Sequence, residues 1–464
     1  MMARSRIIQP EFSSDGGLAT LNMAHEARGR VPSFVLPESF HPGEFLRTPR
    51  LQRRWDDARY FISLILRKLS RWDVDHLGLV RLHAKHLLNI MYQADYAAVV
   101  DALVDGGAVE RFPYQVRQHS FGYRLAARFV ADRHVRTPAT DLRLIRRLEK
   151  FSDEGSEERQ ARMKPVHHAL AKQQVRLQIH GNRAREILSG LPAKKNLFDS
   201  QAVLVGDIEA REFRLSVGQY GRVFNNISNL KRELRDELHV GGQRLGSVDL
   251  SCAQPAFAAK LIDETIKAKD NSSNNQSNTT AGENRQASSK GNYDSSSLHY
   301  DSSPTVLTYD DLSLYRALVQ SGEFYAYMID RLRDRGLCIS REVFKRRFLA
   351  DVIAKKKMNR RGTEYQSDVE DCFRELFPTV YRLIREFNCQ GWEHKNLVRL
   401  LQRAESEFVI ETVAADLVTR FPGVCFVTLH DAIYAPLAHL PKVEQAFQRG
   451  FEQTGFRMKF KVAV

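Results

Sequence analysis

The stretch Leu245–Phe257, LGSVDLSCAQPAF, and its counterpart Val424–Pro436, VCFVTLHDAIYAP, decide how this chain is read. Each sets an aspartate, Asp249 or Asp431, at the end of an apolar, strand-like run. Burying such a carboxylate unpaired, between Val248 and Leu250 or between Leu429 and Ile433, costs on the order of several kcal/mol, so each is expected to meet a cation. Taken singly, an aspartate of this kind is most often a strand-end cap or an ion-pair partner. Two of them on neighbouring strands are a way to hold two Mg²⁺ ions about 3.5 to 4 Å apart, activating an attacking hydroxyl and stabilising a leaving group.

Between the two aspartates lies SREVFKRRFLADVIAKKKMNRRG, in which nine basic residues from Arg341 to Arg361 face only Glu342 and Asp351. Ser340 suits an N-cap, and Arg341 and Lys345 fall one turn apart on one helical face. Two cations so spaced grip a triphosphate; a basic solvated face is the plainer alternative. Upstream, QYGRVFNNISNLKRELR offers a Gly221-Arg222 turn and further cations.

Outward from these segments, the 464-residue length predicts two or three packed units. Hydrophobic residues at 43% and charged residues at 27% exclude wholesale disorder, and no apolar run approaches the roughly 20 residues of a bilayer span. The opening residues lack the apolar core of a secretory signal, so a cytoplasmic location is expected. A net charge of +14 nominates a polyanion, nucleic acid, as partner. The five cysteines include no CxxC pair, which argues against a zinc site or a disulfide framework.

Residues 1–50 are rich in Gly, Pro, Ser and Arg and are expected to form an irregular basic arm. Over 51–135, helical spacing from Trp55 to Leu66, two further helical stretches, a Gly106-Gly107 stop and two short strand patterns give the order of a winged-helix unit. A small helical domain with a structural hairpin is the alternative. Residues 140–215 read as a helical block, and the Asn/Ser-rich run at about 266–305 as a disordered insertion within the 216–464 region, because it has almost no apolar residues to offset its ordering entropy.

The order of these pieces carries a resemblance. GRVFNNISNL, VDLSCAQPAFAAKL, the Arg341/Lys345 helix, LQRAESEFVIETVAADL and VTLHDAIYAP together resemble family A nucleic-acid polymerases, a group that includes the phage-type single-subunit RNA polymerases. The likeness spans about 220–460, a little over half the chain. It implies an α+β right-hand polymerase: a palm with an antiparallel sheet, helical fingers, and a thumb at 140–215, behind a small, mostly helical, winged-helix-like N-terminal domain. By resemblance Asp249, Asp431 and the backbone carbonyl of Leu250 hold two Mg²⁺, for which Mn²⁺ is the expected substitute. Arg341 and Lys345 hold the incoming triphosphate, with Lys345 also catalytic, and His430 supports the primer terminus. Arg222 resembles the family position near the template or nascent strand, and Gln402 the residue that reads the minor groove.

The sequence also departs from the pattern. The family's DNA polymerases have a ribonucleotide-excluding Glu where this chain has Gln254. The ring expected after Lys345 is replaced by Leu349 or Ile353, with Phe348 nearby, and Ala432 stands where an acid follows the His-Asp pair. The implied activity is DNA-directed DNA synthesis in replication of a phage, plasmid or integrated element, without proofreading. Its partners would be a DNA template and primer, deoxynucleoside triphosphates and a helicase or other replication proteins, with no membrane. The alternatives are an RNA polymerase or primase-like enzyme of the same fold, or a non-catalytic DNA-binding replication initiator.

Overall fold

A computed structural model describes residues 19–22, 31–71, 73–114, 120–153, 161, 163–192, 197–276, 309–355, 367–389 and 395–464. Helices combine with antiparallel sheets, as expected of an α+β chain. Two units emerge: Met1–Asp249 with Ser406–Gly450 and Val462–Val464, and Leu250–Glu405 with Phe451–Lys461.

In the first unit the helix Trp55–Ser70 organises the N-terminal core. Ala58, Phe61, Ile62, Ile65, Leu66 and Leu69 recur at spacings of three and four, and all are buried. Asp56 and Asp57 in its first turn and Arg67 and Lys68 in its last complement the helix dipole. There follow strand Val80–Arg81, helices Ala84–Ile90 and Tyr96–Asp105, and strands Val109–Phe112 and Gly122–Leu125. The last of these strands lies between the other two in an antiparallel sheet, and its Tyr123 meets Phe61 edge-on at 5.0 Å.

The irregular arm expected over 1–50 is corrected where the chain is described. Ala19–Asn22 pairs with Arg214–Val217, and Ser33–Pro37 pairs with His134–Pro138. Phe34, Val35 and Leu36 enter the N-terminal core, which supplies the driving force that the surrounding Gly, Pro and Ser obscure. Residues 1–18 and 23–30 lie outside the described residues.

The block expected as a thumb over 140–215 contributes, among the described residues, to two cores. Its helices are Leu142–Asp153, Pro165–Gln174, Gly181–Gly190 and Leu197–Glu209. Leu144 joins the N-terminal core, whereas Leu177, Ile179, Leu188 and Leu204 join the core under a central sheet. Val175, Leu177 and Ile179 follow the period of a strand, and Gln178–Ile179 pairs with Leu238–Val240. The central sheet runs Val427–Leu429, Ala432–Pro436, Gln243–Leu250, Leu238–Val240, Gln178–Ile179, and a sixth strand, Phe460–Ala463, also pairs with Gln243–Leu250.

The second unit begins with helix Ala253–Gln276. Residues 266–276 of the expected disordered insertion are therefore helical, because an established helix extends at low cost; the remainder, from 277, lies outside the described residues. Helices Tyr309–Ser321, Phe324–Asp334, Arg341–Arg347, Asp368–Leu376 and Pro378–Cys389 enclose an aromatic core. Within it Phe324 meets Phe348 at 5.2 Å, Phe348 meets Phe373 at 5.2 Å, and Phe373 meets Phe377 at 5.3 Å. Beyond Arg347 the helix widens to π geometry over Phe348–Ile353, and Lys355 and Glu370 form a buried ion pair at 2.6 Å.

Candidate active site

Strand Gln243–Leu250 places Asp249 directly opposite Ala432. Leu429 also pairs with Ala432 on the other side, so His430 and Asp431 form a two-residue hairpin turn. Asp249 thus stands across from the residue that follows Asp431, and the two carboxylates share one end of the central sheet. Asp249 is exposed and Asp431 half-buried. Val248 and Leu250 point inward, 0% and 3% exposed, and the period of two turns Asp249 to the other face.

His430 has a left-handed φ of 52°, a conformation that costs a non-glycine residue about 1–2 kcal/mol. Its ring meets Phe224 edge-on at 6.1 Å. Burial, with the Arg222 and Arg235 guanidinium groups nearby, pushes the imidazole down to about 4. It is therefore neutral at pH 7, and its Nδ1 is buried without a hydrogen-bond partner. Strained residues of this sort concentrate at functional sites.

Arg222 and Phe224 come from the hairpin formed by Arg214–Val217 and Val223–Asn225. Gly221 turns it with a φ of 79°, and a Cβ there would sit 3.3 Å from the Ser406 side chain. Asn225 Nδ2 donates to the Thr428 carbonyl at 2.8 Å, fastening the hairpin to the strand that leads into His430. The first unit therefore unites Asp249, Asp431, His430 and Arg222. Phe224 and Asn225 support the His430 turn structurally and were not singled out by the motif reading, although both lie within GRVFNNISNL.

The second unit carries the remaining candidates. Ser340 Oγ accepts from the Val343 N–H at 3.3 Å and caps helix Arg341–Arg347. The Arg341 guanidinium lies 5.3 Å from the centre of the Tyr325 ring and the Lys345 Nζ 5.0 Å from it, a double cation–π arrangement. Cys252 has a φ of 55°, and its Sγ donates to the Gly322 carbonyl at 3.4 Å. Burial raises the Cys252 thiol, opposed by the Tyr325 backbone and by the charges of Arg341, Lys345 and Lys461. Gln254 is half-buried in the first turn of helix Ala253–Gln276, and Gln402 half-buried on helix Asn396–Ser406. Leu250 has its side chain buried. Tyr325 was missed by sequence reading, since a lone aromatic upstream of a basic helix carries no spacing signal.

Among the described residues no group of three or more His, Cys, Asp and Glu side chains gathers in metal-binding fashion. The pair Asp249 and Asp431 still fits Mg²⁺ chemically. That ion prefers hard oxygen donors and is commonly held by one or two carboxylates together with water and substrate phosphates. Among the described residues no helix is long and apolar enough to cross a membrane. Compared with protein-family models and with curated proteins, the chain matches none.

Proposed function

We propose that the chain is a nucleotidyltransferase that copies a DNA template into DNA. The observation that carries this reading is the register of the central sheet, which brings Asp249 beside the turn bearing Asp431 at a solvent-accessible strand end. Asp249, Asp431 and the Leu250 carbonyl would hold two Mg²⁺; when bound, these lower the pKa of an attacking hydroxyl and offset charge on the leaving pyrophosphate. Arg341 and Lys345, fixed over Tyr325, bind the triphosphate oxygens and neutralise the charge that grows there. Neutral His430 offers a hydrogen-bonding ring edge to a strand terminus, and Arg222 offers a cation to its backbone. Gln254 and Gln402 supply amides for sugar and minor-groove contacts.

A second reading, RNA synthesis or priming on the same fold, is favoured by Gln254. That residue stands where the DNA polymerases it resembles carry the Glu that excludes ribonucleotides. The N-terminal unit over 51–135 we read as architecture more than as a DNA reader. Its helix Tyr96–Asp105 contains Asp101 and Asp105 and no Lys or Arg. The hairpin cations Arg111 and Arg124 are engaged by Asp101 and Glu110.

The test is extension of a labelled DNA primer on a DNA template with Mg²⁺, using deoxy- and ribonucleoside triphosphates in parallel, for the wild type, Asp249→Asn and Asp431→Asn. Each variant is expected to lose about a thousandfold in rate, several kcal/mol of transition-state stabilisation, while still binding DNA. Extension only with ribonucleotides would move the activity to RNA synthesis. DNA binding without extension under either condition would leave a replication initiator.

A further inference from the structure

A second concentration of charge lies in the first unit, apart from the carboxylate pair. Arg67 approaches Asp207 at 3.5 Å and Glu212 at 2.9 Å. Arg136 meets the same two acids at 2.6 and 2.5 Å, and Arg214 reaches Asp207 at 3.7 Å. Asp207 is buried. Against the desolvation that opposes it, attraction to Arg67 and Arg136 holds the Glu212 carboxyl down to about 2. Three guanidinium groups therefore share two carboxylates.

Arg71 adds a fourth. It follows helix Trp55–Ser70 as its C-cap, one turn beyond Arg67 and so on the same face. The preceding residue, Ser70, accepts from Asn229 Nδ2 at 3.3 Å, which ties this helix end to the segment containing Arg222 and Asn225. Among the described residues Arg71 has no carboxylate within ion-pair distance. Its side chain is exposed, yet it is crowded. Desolvation, then the charges of Arg214 and Arg67, hold its guanidinium down to about 10, against the attraction of Asp207 and Asp73. Arg71 is thus an exposed cation one turn from Arg67 on the same helix face, with Arg214 close by.

We propose that Arg71, with Arg67 and Arg214 behind it, is a binding site for a phosphate of the nucleic-acid backbone. The hairpin supplies direction. Arg214 starts the strand Arg214–Val217, and Arg222 lies in the turn beyond its end. That strand rises about 10 Å, roughly three nucleotide steps along one strand of a duplex. Arg71 therefore extends backbone contact away from His430 and Asp431, within the same unit. The inference rests on the nucleic-acid reading above.

The experiment is binding of a fluorescent primer–template duplex, by anisotropy across a salt series, to wild type, Arg71→Gln, Arg71→Lys and the exposed control Arg133→Gln, whose guanidinium faces Glu38 at 3.6 Å. Thermal unfolding and primer extension are measured on the same proteins. Losing one phosphate contact should weaken Arg71→Gln about eightfold at 0.1 M salt and reduce the slope of log K against log[salt] by about 0.9. Its melting temperature should stay level or rise, Arg71→Lys should recover most of the affinity, and extension at saturating DNA should be unchanged. Equal affinity and slope for wild type and Arg71→Gln, or a lower melting temperature with unchanged binding, would overturn the site and leave the polymerase reading intact. A wild type that neither binds nor extends the duplex would overturn both.

Discussion

Tyr325 sets the spacing of the two cations of the second unit, with Arg341 and Lys345 at 5.3 and 5.0 Å from its ring centre. Because Lys345 is exposed, its charge is available to a ligand and its removal exposes no core. Lys345→Gln is therefore expected to slow primer extension by about 100-fold at saturating nucleotide, within the range seen for loss of one electrostatic donor. The melting temperature should stay within about a degree of wild type. Single-turnover extension and a thermal melt check both; an unchanged rate would take Lys345 out of the reaction. That Asp249 and Asp431 lie at the ends of neighbouring strands was legible, because each closes an apolar run of strand character. Their surroundings were not. Nothing in LGSVDLS says that Asp249 faces solvent until its strand is placed between Ala432–Pro436 and Leu238–Val240, and nothing in a lone tyrosine announces a ring beneath two cations.

Helix Pro165–Gln174 shows how an element can depend on one titrating group. The buried His167 occupies the third position of the helix, and its Nδ1 accepts from the Lys164 N–H at 3.0 Å. Burial, over the attraction of Glu411, pushes the imidazole down to about 4. The unfolded chain, with a value near 6.5, takes up the proton first as pH falls. The contribution is whole above about 6.5 and declines towards 4, by about 2 kcal/mol at pH 5. His167→Gln keeps an acceptor at this position and does not titrate. Its loss of stability between pH 7 and pH 5, measured by urea unfolding, should be smaller than that of the wild type by about that amount; equal losses would show that His167 protonates freely in the fold. Elements of strong period were legible: the helices from Trp55 and Tyr309 onward and the strands around Asp431. Short ones were not. Ser33–Pro37 and Gln178–Ile179 hold too few residues for a period to stand out, and their partners, His134–Pro138 and Leu238–Val240, are distant in sequence. Helix Ala253–Gln276 runs into the polar tract because composition measures what can be buried, and a helix end need not be buried.

Over the whole molecule the net charge of +14 sets a long-range attraction that no single motif supplies. Arg341 and Lys345 remain exposed over a ring and Arg71 over other arginines, whereas Arg111, Arg124 and Arg136 are matched by acids. Binding of duplex DNA should therefore be dominated by counterion release. If about five phosphates are contacted, log K should fall linearly with log[salt] with a slope of about −4 to −5, and affinity should drop several-hundredfold to about a thousandfold between 50 and 200 mM salt. Asp249→Asn and Asp431→Asn should leave that slope in place or steepen it, since each removes a negative charge from the path of the backbone, while extension collapses. Anisotropy titrations at four salt concentrations decide the matter. A slope near zero would mean that the charge excess faces solvent and does not bind nucleic acid. A steep slope shared by active and inactive variants would separate the global electrostatic term from the two carboxylates that the sheet register brings together.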